Sequence, residues 1–417
     1  MSDTFRSLFS GSRPQAAKPT PPAVEQSSDA TREVRPDVIP GATIRVLGTG
    51  GAGSNAVMRM VTNKVQGVEF IAVNTDIQAL YHNPAPKKIT IGRGTTRGLG
   101  AGANPDIGKR AAEESVADLK SALEGADMLF VTAGMGGGTG SGSIGPICEL
   151  ARSMGILTVA VVTRPFSFEG LKRKKNSEEA LENLRGKVDT LITIPNDKIL
   201  SLIDKTTPLT EAFEIVDEVL QHAIEGISSL ITQHGLINVD FADVKSVMQD
   251  AGTALMGIGY GTGDSRAAEA ARAAIDSPLL ELSISGAQGI LFNITGGSDL
   301  SMFEVDEAAR IITETAAPEA NIIFGAVIDE GMTGQVKCTV VATGFDVAEK
   351  NPMGAFPAGA QRFVKAGIPA LQRPSVARED ASKKEDKLQD SGIKSTSLQL
   401  DEAELEVPAF MRKPLSK

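Results

Sequence analysis

Five short apolar runs rich in Val and Ile mark the first half of the chain: TIRVLG from Thr43, VEFIAVN (68–74), ADMLFVTA (126–133), ILTVAVVT (156–163) and VDTLITI (188–194). Continuous rather than alternating runs predict strands buried on both faces. Helical periodicity fills the intervals, as in GKRAAEESVADLKSALEG (108–125) and PICELARSMG (146–155). That alternation predicts an α/β fold with a doubly wound, mostly parallel sheet. A long amphipathic stretch follows from Pro208 to Thr232, with Leu209, Phe213, Val216, Leu220, Ile224, Ile227 and Ile231 at helical spacing. It predicts a long central helix buried between two domains. Beyond it, apolar runs at 253–261, 287–297, 320–329 and 335–345 alternate with helical patterns at 264–276 and 303–316. These predict a second, smaller α/β domain with a mixed sheet, its last two strands joined as a hairpin through DEGMTGQ.

The same pattern sets domain boundaries. Residues 1–40 and 350–400, rich in Pro, Ser and Ala, read as a disordered arm and a flexible linker. The first domain spans 41–207, the central helix 208–232, the second domain 233–349 and a terminal peptide 401–417.

Composition narrows the class. Aromatic residues are 4% of the 417, Trp is absent and Gly numbers 43, which disfavours stacking platforms for nucleic acid and favours a tightly turning backbone. The net charge of −10 resides in the body of the chain, where residues 41–350 hold 26 basic and 38 acidic side chains. So acidic a body is a poor binder of nucleic acid or anionic membrane, and any phosphate must be held locally by backbone N–H groups. No apolar run reaches the length of about 18 residues that a membrane helix requires, and the first residues lack a secretory apolar core. Cys148 and Cys338 lie in apolar surroundings, and His82, His222 and His234 form no ligand cluster. Disulfide and zinc scaffolds are therefore excluded, and a cytoplasmic, reducing compartment is expected.

Three glycine-rich segments carry candidate chemistry. GGAGSN (50–55) follows a predicted strand and opens a helix, where N–H groups can close around an anion. The overlapping GTGGAG also fits a dinucleotide-binding fingerprint. GMGGGTGSGSIG (134–145) is denser, five of the seven residues in GGGTGSG (136–142) being glycine. A turn needs one or two glycines, so this density predicts several consecutive N–H groups facing one ligand. No phosphate-loop lysine motif is present, which leaves the cradle to backbone and Thr139. RGLGAGANPDIGKR (97–110) again precedes a helix. Three such loops on successive strand ends would converge at the carboxyl edge of the sheet and bind a nucleoside di- or triphosphate.

GGGTGSG also resembles the tubulin signature, and the sequence around it is similar to the FtsZ family, the bacterial tubulin-like cell-division GTPases. GGAGSNAV, NTD (74–76), GLGAGANP (98–105), RPFSFEG (164–170), PNDKIL (195–200) and NVDFADV (238–244) carry the resemblance from about 43 to 345, and it returns at the extreme C-terminus. It implies a GTPase that polymerises head to tail into the filaments of the division ring. Gly50, Gly51, Gly136, Gly137, Gly138, Thr139 and Gly140 would cradle the phosphates, with Ala101 and Gly102 near the γ-phosphate. Glu169 would accept from the ribose hydroxyls, Arg173 would reach the phosphates, Phe213 would pack on the base, and Asn55 and Asn196 would support the nucleotide. Asp217 would accept from N1–H and the exocyclic amine of guanine. Adenine has no donor at N1, so the implied ligands are GTP and GDP rather than ATP. Mg2+ would be held mainly by nucleotide oxygens and water.

Asp240 and Asp243 in NVDFADV read locally as an N-cap and a first-turn acid. The resemblance implies instead that this segment reaches the nucleotide of the next subunit. There both carboxylates, with Asn238, would polarise the attacking water, so that neither subunit hydrolyses alone. The apolar tail VPAFMRKP behind DEAELE implies a recognition peptide (405–414) for a membrane-tethering actin-like division protein and other division factors at mid-cell. No nucleic-acid partner is implied, and membrane attachment would be indirect. Three competing readings stand beside this one. A tubulin-like filament that moves plasmid DNA is opposed by the tail peptide. A Rossmann-type oxidoreductase lacks an evident hydride-transfer constellation. A GTP-binding regulator without turnover is disfavoured by the pair Asp240 and Asp243.

Overall fold

The structure, a computed structural model, describes residues 41–345 except Leu202, Lys205, His234, Leu236, Asn238, Glu281, Leu282 and Ser283. The predicted arm, linker and terminal peptide, and the candidate Asn238, lie outside the described residues.

The first half runs β1 (Ile44–Thr49), α1 (Gly50–Thr62), β2 (Glu69–Asn74), α2 (Ile77–His82), β3 (Lys87–Thr90), α3 (Arg93–Thr96), α4 (Pro105–Glu114), α5 (Val116–Leu123) and β4 (Met128–Gly134). It continues with α6 (Thr139–Ser153), β5 (Leu157–Arg164), α7 (Leu171–Leu184), β6 (Thr190–Pro195) and α8 (Asn196–Ile199), and the long helix α9 (Leu209–Thr232) follows. The strands pair in parallel in the order β3-β2-β1-β4-β5-β6. Consecutive strand residues feed opposite cores. Val46 and Phe130 pack with Met60 of α1 and Leu220 of α9, whereas Leu47 and Val131 pack with Leu123 of α5 and Ile147 of α6. Both faces are covered, which is why the runs do not alternate. The edge strand β3, short and carrying Lys87 and Lys88, adds a sixth strand that the apolar pattern did not mark.

The second half comprises α10 (Phe241–Met248), β7 (Gly252–Thr262), α11 (Arg266–Ile275), β8 (Gly289–Gly296), α12 (Met302–Thr315), β9 (Asn321–Ile328) and β10 (Gln335–Thr343). Its sheet is mixed as expected: β10 lies antiparallel to both β7 and β8, and β9 parallel to β8. β7 also pairs in parallel with β6 over Thr190–Ile192, so the two halves share one ten-stranded sheet.

Several expectations are corrected. DEGMTGQ is not a hairpin, because β10 enters between β7 and β8 and residues 329–334 step across the end of β8. There Asp329 N donates to Gly296 O at 2.9 Å. β10 is buried along most of its length and β9 only toward its end, although β9 is the more apolar in sequence. The helix expected over 108–125 breaks at Ser115, whose hydroxyl accepts from Gly92 N at 3.0 Å. The helix expected from 146 begins at Thr139 and takes in Gly140 and Gly142. A Cβ on Gly142 would stand 2.0 Å from Pro105 O, so that glycine permits the close crossing of α4 and α6. Along α9, Val216, Leu220, Ile224 and Ile227 are buried as their spacing predicts. Leu209 and Phe213 are instead 61% and 41% exposed. Among the described residues no helix is long and apolar enough to cross a membrane.

Candidate functional site

β1, β4, β5 and β6 end on one edge of the sheet, where strand order reverses between β1 and β4. A cavity of about 300 Å³ opens there, at the topological switch point. Two helices start at it. α1 begins at Gly50 directly after β1, and α6 at Thr139 shortly after β4. Neither has a side-chain N-cap or an acid in its first turn. Among the other helices α2, α4, α10 and α12 are capped by Asp76, Asn104, Asp240 and Ser301, α5, α8, α9 and α11 carry an acid in the first turn, and α3 and α7 have neither. Open N–H groups and aligned peptide dipoles at both termini favour an anion in the space between them.

The glycines have two separate uses. Gly51 and Gly137 line the cavity, and a Cβ on either would meet no protein atom within 4 Å. The room in front of them is available to a ligand. Gly50 and Gly136 do not line it; they take φ of +73° and +97°, and a Cβ would lie 2.7 Å from Gly140 N and 2.8 Å from Arg173 O respectively. Gly138 and Gly140 both line the cavity and back onto neighbouring chain, Gly138 within 2.8 Å of Asn104 N and Gly140 within 3.0 Å of Gly134 O when a Cβ is added. The density of GGGTGSG therefore reflects backbone crossings as well as ligand clearance. Thr139 is held by a 2.6 Å hydrogen bond between its hydroxyl and that of Thr75.

The third glycine loop follows the edge strand β3 and α3, not a strand beside β1, which corrects the expectation of successive strand ends. It is folded back by Ile77 N donating to Gly98 O and Gly100 N to Thr75 O. Ala101, 5% exposed, comes to rest against Gly138, and Gly102 is exposed. Neither lines the cavity.

The remaining wall carries Asn55, Glu169, Arg173, Asn196, Phe213 and Asp217. Glu169 accepts from Phe166 N at 3.0 Å and from the guanidinium of Arg173. Asn196 is buried, and its Oδ1 has no hydrogen-bond partner among the described residues. A buried acceptor left open at a cavity wall is suited to a ligand. Phe213 meets Phe166 edge-on at 5.5 Å and leaves an exposed aromatic surface. Burial pushes the Asp217 carboxyl up to about 6, with Arg59 opposing and Glu214 and Glu218 reinforcing that rise.

Asp240 and Asp243 are exposed at the start of α10 and do not line the cavity. Asp240 accepts from Asp243 N at 2.8 Å, which is the N-cap of the local reading. The structure also adds Ala52, Gly134, Met135, Thr163, Pro165, Val216 and Leu220 to the wall. Ala52, Gly134, Met135 and Pro165 fall inside the motifs already quoted without being singled out there, and Thr163, Val216 and Leu220 are strand-end and core residues that no motif distinguishes. Thr75 lay within the NTD segment, and Arg59 one helical turn beyond Asn55. A larger cleft of about 390 Å³ faces the C-terminal ends of α1 and α9 and includes Glu225, Asp329 and Glu330 against Lys64 and Lys337, a poor setting for phosphate. Among the described residues no group of three His, Cys, Asp or Glu could hold a metal ion.

Comparison with known proteins adds sequence-wide information. Residues 43–204 match the GTPase domain of the Tubulin/FtsZ family, and residues 252–346 match the C-terminal domain of the FtsZ family. An empty FtsZ dimer from M. jannaschii is 46% identical with a TM-score of 0.71, covering 73% of this chain and 89% of its own. The GDP-bound monomer of CetZ1 from Haloferax volcanii is 20% identical at a TM-score of 0.63, covering 72% of this chain and 94% of its own. A GTPγS-bound protofilament of CetZ2 from the same organism is 21% identical at 0.60, with 72% and 92% covered. The CetZ proteins are similar to this chain in fold.

Proposed function

The chain belongs to the tubulin/FtsZ family of GTPases, and from that premise we propose that it hydrolyses GTP within head-to-tail filaments that build the cell-division ring. The observation behind this is a division of the chemistry between two places. The cavity with two open helix N-termini supplies binding, while Asp240 and Asp243 stand exposed on α10 and outside it. The cavity's own carboxylates, Glu169 and Asp217, are taken up by the ribose and the base in this reading, so carboxylates acting on a γ-phosphate would come from another copy. The M. jannaschii FtsZ was solved as a dimer and CetZ2 as a protofilament, which supports self-association.

In this reading the first turns of α1 and α6 bind the phosphates, with Thr139 beside them and Ala101 and Gly102 toward the γ-phosphate. Glu169 accepts from the ribose, Arg173 adds positive charge, Asn55 and Asn196 hold the nucleoside, Phe213 packs on the base and Asp217 reads guanine. Docking brings Asp240, Asp243 and Asn238 of the next subunit to the water that attacks in line with the leaving β-phosphate. Among the described residues the only carboxylates on the cavity wall are Glu169, paired with Arg173, and Asp217. Magnesium would therefore be held by phosphate oxygens and water, and when bound it neutralises charge developing on the phosphates. A heterologous interface repeated without closure yields filaments. Residues 405–414 would recruit a membrane-tethering actin-like division protein and place the filament at mid-cell.

GTP turnover measured against protein concentration, with light scattering in parallel and ATP as control, tests the proposal. Specific activity should rise from near zero above a threshold that coincides with scattering. Turnover per chain independent of concentration would mean that each chain holds a complete site.

A further inference from the structure

We infer that Arg59 is a specificity-determining positioning residue for the base, the cation that keeps Asp217 in the form that reads guanine. This rests on the proposal that Asp217 faces the base, and adds to it a residue behind the cavity wall. Asn55 and Arg59 stand one turn apart on the same face of α1. Asn55 lines the cavity, and the Arg59 guanidinium reaches α9 beside it, shared among three carboxylates. Its Nη2 lies 3.3 Å from Glu214 Oε1, its Nη1 3.8 Å from Glu218 Oε1 and its Nε 3.9 Å from Asp217 Oδ2. Among the described residues Arg59 is the one cation ion-paired with any of the three. The glutamate side chains are 54% and 50% exposed and can turn to water; that of Asp217, at 18%, cannot.

The chemistry of the base edge makes one proton decisive. An ionised carboxylate offers two acceptors and matches N1–H and the 2-amine of guanine. A protonated carboxyl offers one donor and one acceptor and matches N1 and the 6-amine of adenine. Burial and the two glutamates favour the proton on Asp217, and Arg59 opposes it. Without Arg59 the carboxyl gains its proton at higher pH, and the pocket loses its guanine-reading form.

The test is equilibrium binding of GDP and ADP to the full chain, below the concentration at which scattering appears, from about pH 5 to pH 8. The wild type should lose its guanine preference as pH falls through about 6. In Arg59→Gln that loss should move up by about one pH unit, weakening GDP binding roughly fivefold at the pH of the original midpoint, and Arg59→Lys should restore the original profile. Glu214→Gln combined with Glu218→Gln should move the loss to lower pH, which keeps the inference testable if Arg59→Gln fails to fold. An Asp217→Asn chain with unchanged base preference and pH profile would remove Asp217 from base reading altogether. If Asp217→Asn abolishes the profile while neither the Arg59 nor the glutamate variants shift it, Asp217 keeps its role and the inference about Arg59 is overturned.

Discussion

Gly50 and Gly51 are adjacent, and a single methyl group should separate their roles. At Gly51 a Cβ would meet nothing within 4 Å, and the backbone has no positive φ. Gly51→Ala should leave the unliganded protein as stable or raise its stability by about 0.5–1 kcal/mol, since alanine is the better helix residue. The added methyl nevertheless stands in the cavity, where the first N–H groups of α1 would meet a phosphate. Loss of one such hydrogen bond to a charged group, worth about 1.5–3 kcal/mol, weakens nucleotide binding roughly ten- to a hundredfold. Each tenfold loss removes about 1.4 kcal/mol of the stabilisation that saturating GDP confers. At Gly50 alanine must adopt φ of +73° and place its Cβ 2.7 Å from Gly140 N. The left-handed conformation alone costs about 1–2 kcal/mol, so Gly50→Ala should destabilise the unliganded protein. Urea unfolding with and without GDP, together with a direct GDP titration, reads both effects. Wild-type affinity in Gly51→Ala would take the phosphates away from α1. Destabilisation of unliganded Gly51→Ala would show that the space before Gly51 is not free.

Asp243→Ala removes a first-turn acid from α10 at a cost of about 0.3–1 kcal/mol and spares the cap, which uses only the Asp243 backbone N–H. GTP turnover should fall about a hundredfold or more while GTP binding and GTP-induced scattering persist; unchanged turnover would remove the residue from the mechanism. His222, largely buried, meets Tyr260 at a ring distance of 6.4 Å, and burial, aided by Lys337, pushes its pKa down to about 4. The unfolded chain takes up the proton first, so the stability from keeping His222 neutral should be present at neutral pH and lost as pH falls from 6.5 toward 4. In His222→Gln the urea midpoint should depend less on pH in that window, and an unchanged slope would contradict the assignment.

Much of the site could be read before the tertiary structure was known, because its elements are local. Glycine-rich strand-to-helix turns are readable as candidate phosphate cradles, and Gly51, Gly137, Gly138, Thr139 and Gly140 do share one cavity. What each glycine does was not legible. Gly142 and Gly137 look alike in GGGTGSG, yet one meets Pro105 across a helix crossing and the other faces open space. Phe213 fitted the apolar period of α9 and reads as core, but it faces the cavity beside Phe166 and is left partly exposed. Asp240 keeps its local role as a cap, and nothing local tells whether it also acts elsewhere.

The sequence by itself determined the strands β1, β2, β4, β5 and β6 and the central helix, because burial on two faces or along one stripe imprints a short-range period on the residues. It also pointed to backbone N–H groups as the main candidates for holding phosphate, since the body is acidic and no phosphate-loop lysine motif is present. Only the tertiary structure decided which strands pair. The turn at 329–334 has hairpin chemistry, yet β10 leaves β9 and inserts between β7 and β8, where it is buried along most of its length. Only the tertiary structure joined β6 to β7 in one sheet and set Arg59 against three acids of α9. Turns and periods are written within a few residues, whereas partners are chosen by the free energy of burying whole surfaces, which no short window of sequence contains.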